Sequence, residues 1–230
     1  STTEVQMAIE AGASHLIIED SKVSIRSFKN DFETPGFQKL IDLSDFARSL
    51  NPEIVLSANA DFLIHDHQIP LLESLIQTMK QAQIPTLRFQ DLGIVSYVKT
   101  HHPDIRLHFH PEIGFHNSEG IVAVAPKLDY ITLSNELPVA DLQKIRNAIP
   151  TPLEIQVHGP ILIQYSFRRY LEGLSETLEP YGWDPHRFVT LAQDDEYPGR
   201  YYRFYDNPHG HFMFLYFDRC LIKYLPDLVQ

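Results

Sequence analysis

The chain has 230 residues, 43% of them apolar and 21% charged, which is enough to bury a core without disulfide or metal staples. A single cysteine, Cys220, excludes a disulfide framework and any all-cysteine metal site. The formal net charge of -11 argues against a nucleic-acid partner, because a phosphate footprint needs clustered Lys and Arg.

No apolar run approaches the roughly 20 residues of a membrane span. The opening Ser1-Thr2-Thr3-Glu4 has neither the basic nor the apolar region of a signal peptide, so the expected location is the cytoplasm. Twelve histidines are the first lead to function.

Short β-branched or apolar runs alternate with stretches of helical period along the first 160 residues. The runs predict strands at 15–19, 23–26, 54–59, 86–91, 105–110, 129–134 and 153–158. Helices are expected near 3–11, 37–50, 69–82, 92–101, 117–125, 138–148 and 160–172. Thr2 or Thr3 can cap the first helix and Asn117 or Ser118 the fifth, while Pro138 suits an early helical position. Seven strands spaced by single helices predict a parallel, TIM-like (β/α) barrel.

Strand alternation turns Ser57, Asn59, Arg88, Gln90, His108, His110, Thr132, Ser134, Glu154, Gln156 and His158 into the lumen. A lumen built only for packing would carry Val, Ile and Leu. Residues 173–198 read as an irregular excursion. A hairpin follows, from Arg200 to Tyr205 and from His211 to Phe217, and then a helix capped by Asp218 and reaching about Leu225. The expected organisation is therefore a barrel over 1–172, with 173–230 packed on the same domain. Cys220 reads as a buried thiol in that last helix, and His209 and His211 as exposed.

Several motifs carry a resemblance. They are Ala8-Ile9-Glu10-Ala11-Gly12-Ala13, Ile25-Arg26, Ala58-Asn59-Ala60 and Gln90-Asp91-Leu92-Gly93. Leu133-Ser134-Asn135-Glu136-Leu137, Val157-His158-Gly159-Pro160, Tyr165-Ser166-Phe167-Arg168 and Arg219-Cys220-Leu221-Ile222 complete the set. In order and spacing the chain resembles the U32 peptidases, also called collagenase-like proteases, with Asn135 standing where the family motif has arginine. The resemblance implies a part in oxygen-independent hydroxylation of RNA bases or of the ubiquinone ring. It also implies an iron–sulfur cluster on four cysteines. Two of those positions are Leu162 and Arg169 here, and the later pair is missing around Glu196-Tyr197-Pro198-Gly199, so the cluster is expected to be absent.

The family begins with a strand and a Pro-Ala-Gly turn that this sequence does not contain. The slot beside 15–19 and 153–158 is therefore expected to be filled by a further N-terminal segment, by the 173–198 excursion or by another chain.

The expected site is the ring of polar residues at the strand ends. His158 and Glu136 are the catalytic candidates, because both match family motifs and can exchange protons. Arg26, Asn59, Asp91, His110, Glu112 and Arg168 are the substrate-binding candidates, with Glu19 in the same ring. No residue is assigned to a metal, although this His and carboxylate ring could share a divalent ion. The implied partner is a small polar or anionic ligand, with a homo- or hetero-oligomer formed with another U32-type chain. The favoured function is hydroxylation-type modification of a small aromatic or quinone-like substrate. A metal-dependent hydrolase or peptidase, and a non-catalytic partner subunit, are the rivals.

Overall fold

The computed structural model describes residues 1–26, 36–174, 177, 180 and 189–228. Helix α1 (Thr2–Glu10) opens the chain, and Ser1, rather than Thr2 or Thr3, is its cap, paired with Glu4 in a reciprocal capping box. Strands β1 (His15–Ile18), β2 (Val55–Ala60), β3 (Thr86–Phe89), β4 (Arg106–Phe109), β5 (Tyr130–Thr132) and β6 (Leu153–Glu154) follow. Helices α2 (Gln38–Leu50), α3 (Ile69–Gln81), α4 (Gly93–His101), α5 (Ser118–Val124) and α6 (Val139–Ala148) connect them in turn.

The six strands are all parallel and lie side by side in chain order. Five strand spacings would separate β1 from β6 by about 24 Å in a flat sheet. His15 Nδ1 on β1 nevertheless lies 3.9 Å from Glu154 Oε1 on β6. The sheet is therefore curled into a half-barrel whose concave face is the lumen. Its convex face packs Leu56, Ala58, Leu87, Phe89, Leu107, Phe109 and Ile131 against Leu40, Leu75, Ile76, Val98, Ile121 and Ile145 of the helices.

Three expected elements differ. Residues 23–26 form turns instead of a strand. Val23 and Ile25 are buried in the core, but the Ile25 N–H donates to Asp61 Oδ1 (2.7 Å) and the Ile25 carbonyl accepts from Asn207 Nδ2 (3.2 Å). Side chains thus satisfy the backbone groups that a ladder would otherwise take. The parallel sheet therefore has six strands, not seven.

Residues 160–172 are not a helix. His158–Ser166 form β7, and only Tyr170–Gly173 (α7) are helical. The third difference is at the C-terminal end, where β10 (Gly210–Cys220) runs on through Asp218. A 3-10 turn at Ile222–Tyr224 and α8 (Leu225–Leu228) close the described chain. Cys220 is accordingly exposed on a strand, not buried in a helix.

The expected hairpin is present as β9 (Tyr201–Asn207) and β10. With β8 (Val189–Gln193) and β7 it makes an antiparallel sheet in the order β7-β10-β9-β8. Part of the 173–198 excursion is thus strand, paired with β9 and not with an edge of the half-barrel. Residues 175–176, 178–179 and 181–188 of that excursion lie outside the described residues.

The hairpin turn docks on the loops above β1 and β2. His209 Nε2 meets the Ser21 carbonyl (2.8 Å), and the His209 ring packs tilted against Phe62, with centroids 4.8 Å apart. His209 and His211, expected at the surface, are both buried, and His211 Nδ1 pairs with Asp206 Oδ1 at 2.6 Å. Among the described residues no helix is long and apolar enough to cross a membrane.

Candidate functional site

Arg26 sits just after the turn that follows β1, and its guanidinium reaches across the C-terminal ends of the strands. Nη1 donates to Asp61 Oδ2 (2.8 Å) and to Glu112 Oε1. Asp61 follows β2 directly and stands two residues beyond Asn59, on the same lumen phase. Asn59 Nδ2 donates to Asp61 Oδ2 and to Glu19 Oε1, both at 2.9 Å. Arg88 on β3 donates from Nη1 to Asn59 Oδ1 (3.1 Å) and from Nη2 to His110 Nδ1. His110 Nε2 lies 2.8 Å from Glu112 Oε1, which closes the circuit. Gln90 Nε2 donates to the Asp61 carbonyl and pins the loop.

Two guanidinium groups and three carboxyl groups are thus held together almost out of water. Burial favours the neutral acid at Glu112, but the facing His110 and Arg26 outweigh it and hold Glu112 well below the usual carboxylate range. Burial lowers His110 despite Glu112, helped by Arg88. Its Nδ1 accepts from Arg88 and its Nε2 faces a carboxylate, so the partners define a neutral Nε2–H imidazole. Glu19 moves the other way: burial and then Asp61 raise it, against Arg26, Arg88 and the Asn59 hydrogen bond. One carboxyl group raised and another lowered thus share a single network, Glu19 and Glu112, which separates acid from base within one site.

A second layer lies lower in the lumen. His15 Nε2 meets Ser57 Oγ at 2.7 Å, His108 Nε2 meets Thr132 Oγ1 at 2.7 Å, and Glu154 Oε2 lies 3.4 Å from His108 Nε2.

The structure brings Arg26, Asn59, His110 and Glu112 together from the expected set, with Glu19. It places the others apart. Asp91 receives the backbone N–H groups of Ile64 (2.9 Å) and Gly93 (2.8 Å), so it fastens two loops. Glu136 is exposed and pairs with His116 (2.8 Å). His158 is exposed on β7 in register with Cys220, and Arg168 is exposed beyond the end of β7. Sequence reasoning missed Asp61. The available signal was its in-phase position after Asn59, which is weak because the strand run itself ends at Ala60. No group of three or more His, Cys, Asp and Glu among the described residues has the geometry of a metal site.

The fold and site define an α/β half-barrel with a buried, charge-paired polar network at the C-terminal ends of its strands, where barrel proteins place their chemistry. The sequence model of Peptidase family U32 matches residues 1–230, and the chain belongs to that family. It is 24% identical over 184 residues to a collagenase of Porphyromonas gingivalis, covering 74% of this chain and 42% of that protein. It is 23% identical over 178 residues to tRNA hydroxylation protein P of Escherichia coli, covering 76% of this chain and 38% of that protein. With tRNA hydroxylation protein P2 of Bacillus subtilis it shares 22% identity over 242 residues, 100% of this chain and 74% of that protein. The chain thus spans about two fifths of the length of the first two relatives.

Proposed function

We propose that this chain takes part in hydroxylation-type modification of a small aromatic or quinone-like substrate, as one half of a complex with another U32-type chain. The observation that carries this reading is the buried network of Arg26, Asp61, Glu112, His110, Arg88 and Asn59. Burying such charges is expensive, and apolar residues would pack a lumen at lower cost. The names of the two hydroxylation relatives support the reaction class. The net charge of -11 favours a small substrate over an RNA backbone.

In this reading Arg26 and Arg88 bind substrate oxygen, Asn59 orients it, and Glu112 stays charged to hold Arg26 directly and Arg88 by way of His110. Glu19 is the proton donor of the site, and neutral His110 positions Arg88 through Nδ1 and Glu112 through Nε2–H. The four-cysteine cluster that the resemblance implies does not fit these residues. Leu162 is packed in the core on β7, Arg169 is exposed, and Cys220 supplies a single thiol. The redox group is therefore assigned to the partner chain.

Deleting the gene in its host and profiling the extract by mass spectrometry tests the reading. A hydroxylated aromatic or quinone should fall, while hydroxylated RNA nucleosides stay unchanged. Loss of a hydroxylated nucleoside with quinones intact would contradict it.

A further inference from the structure

A second space opens outside the charged network, where α6 and the loop before it face the end of β10 and α8. Its volume is about 260 Å³, and its wall includes Leu137, Leu142, Ile155 and Leu221, with Val139 and Tyr224 exposed at its edge. No residue of the charged network lines it. An apolar cavity of about 150 Å³ accommodates benzene, so this one takes an apolar body of roughly ten heavy atoms. Among the described residues the one charged side chain in the wall is Arg219, near the end of β10.

Arg219 is held in place yet has no counter-charge. Its Nη1 donates to the Asn135 carbonyl (3.1 Å) and to Asn135 Oδ1 (2.5 Å). Asn135 Nδ2 in turn donates to Gln156 Oε1 (2.7 Å), which fixes the amide and so the guanidinium. Both Nη1 hydrogens are thereby used. Nε and Nη2 have no hydrogen-bond partner among the described residues, and, unlike Arg88 Nε, neither is sealed from solvent. These two nitrogens form the side-on fork of a guanidinium, whose parallel N–H groups match both oxygens of one carboxylate. The acids nearest in the chain are engaged elsewhere, Asp218 with Arg203 (2.6 Å) and Glu136 with His116 (2.8 Å). Burial alone shifts Arg219 downward, whereas at Arg26 burial is outweighed by Glu112 and Asp61. In a chain with 30 acidic residues against 19 Lys and Arg, a half-buried cation without an acid calls for an anion from outside.

We infer that this cavity binds a monocarboxylic acid with a compact apolar body, its carboxylate on the Nε–Nη2 fork of Arg219 and its body between α6 and α8. The body displaces water from the leucine and isoleucine side chains, and the charge-assisted fork fixes the head. A single guanidinium limits the head to one charge, because a dicarboxylate would leave its second charge against apolar walls. The inference does not rest on the function proposed above and uses none of the residues assigned there.

Benzoate with benzamide, and octanoate with octanamide, are the probes, because each amide keeps the size and planar head of its acid and removes the charge. With leucine and valine methyl groups 13C-labelled in the intact chain, at least one acid should shift Leu142 and Leu221 saturably. It should bind at least tenfold tighter than its amide. The pair that does so identifies the body as a ring or a straight chain. Arg219→Met should bring acid and amide to parity, and Arg219→Lys should keep part of the preference. Arg219→Met also loses the tether to Asn135, so Val139→Trp is the second variant. Val139 is 69% exposed, so this change spares the core while obstructing the cavity, and it should weaken acid and amide alike by at least tenfold. No saturable shift at these methyl groups with either acid overturns the inference. So does equal binding of acid and amide to the folded wild type, an unchanged preference in folded Arg219→Met, or undiminished acid binding by Val139→Trp.

Discussion

Arg26 holds the network together, because it is the cation that touches both Asp61 and Glu112. Arg26→Met leaves two carboxyl groups facing each other in a site with little water. Breaking a buried pair in this way costs about 3–5 kcal/mol, read as a fall in the urea midpoint at constant slope. Arg26→Lys keeps the charge but loses the planar fork, so it should recover only part of that loss. A cost below about 1 kcal/mol for Arg26→Met would mean that the network is weakly coupled to folding.

The histidines of the lumen set an acid limit on stability. Burial, and next the Arg88 charge, push His108 down to about 3, and burial also lowers His110, His15 and His209. Between an unfolded value near 6.5 and these folded values the unfolded chain binds more protons, so stability rises with pH. The contribution is complete above about pH 6.5 and is lost as pH falls toward 3. Glu112, also held low, adds a loss at still lower pH, while the raised Glu19 works in the opposite sense. At about 1.4 kcal/mol per unit, His108 alone accounts for roughly 3–5 kcal/mol over that range. Denaturation midpoints should therefore fall from pH 7 to pH 5, and His108→Gln should flatten the slope. A midpoint independent of pH over this range would contradict the burial of neutral imidazoles.

At the scale of elements, the turn of the β9–β10 hairpin fixes where the second sheet meets the half-barrel. Gly210 has φ +129, and a Cβ there would stand 2.1 Å from the Ser166 carbonyl oxygen. Gly210→Ala must move β7 or the turn, at a cost of roughly 2–4 kcal/mol. Gly173→Ala, with nothing within 4 Å of its Cβ, should be neutral or stabilising by up to about 1 kcal/mol. Equal melting temperatures for the two variants would contradict this packing.

The βα units were legible in the sequence because each strand pairs with the next one in the chain, so local period and neighbour agree. β7 was not. Ile161-Leu162-Ile163 fits a helix or a strand equally well over so short a run, and its pairing partner β10 lies far along the chain. The segment 23–26 failed for the opposite reason. It has the composition of a strand, but Asp61 and Asn207 take its backbone groups. Asn135 stands where the family motif has arginine, and Arg219 of β10 donates to its carbonyl (3.1 Å) and to its side chain (2.5 Å). A guanidinium thus reaches that position from another element, which spacing alone could not reveal.

For the whole molecule, alternation along the strands placed Asn59, Arg88 and His110 on the lumen face, but it also put His158 there, which lies exposed on β7 of the antiparallel sheet. It could not say which rim residues converge, because Glu136, His158 and Arg168 lie on loops or on the second sheet, beyond the reach of strand phase. The donor set also sets a compositional limit. With one cysteine, the purified chain should carry neither stoichiometric iron nor sulfide after anaerobic preparation. A brown protein with both in cluster proportions would contradict that.

The most direct test of the network as a ligand site is the small-molecule content of the protein purified from its own host, wild type against Glu112→Gln. The variant keeps the shape of the side chain and removes its charge. Mass spectrometry of the denatured extract should find a hydroxylated aromatic or quinone-class compound near one equivalent in the wild type. The folded variant should have lost most of it. An extract without such a compound, or with equal amounts from both proteins, would contradict the account.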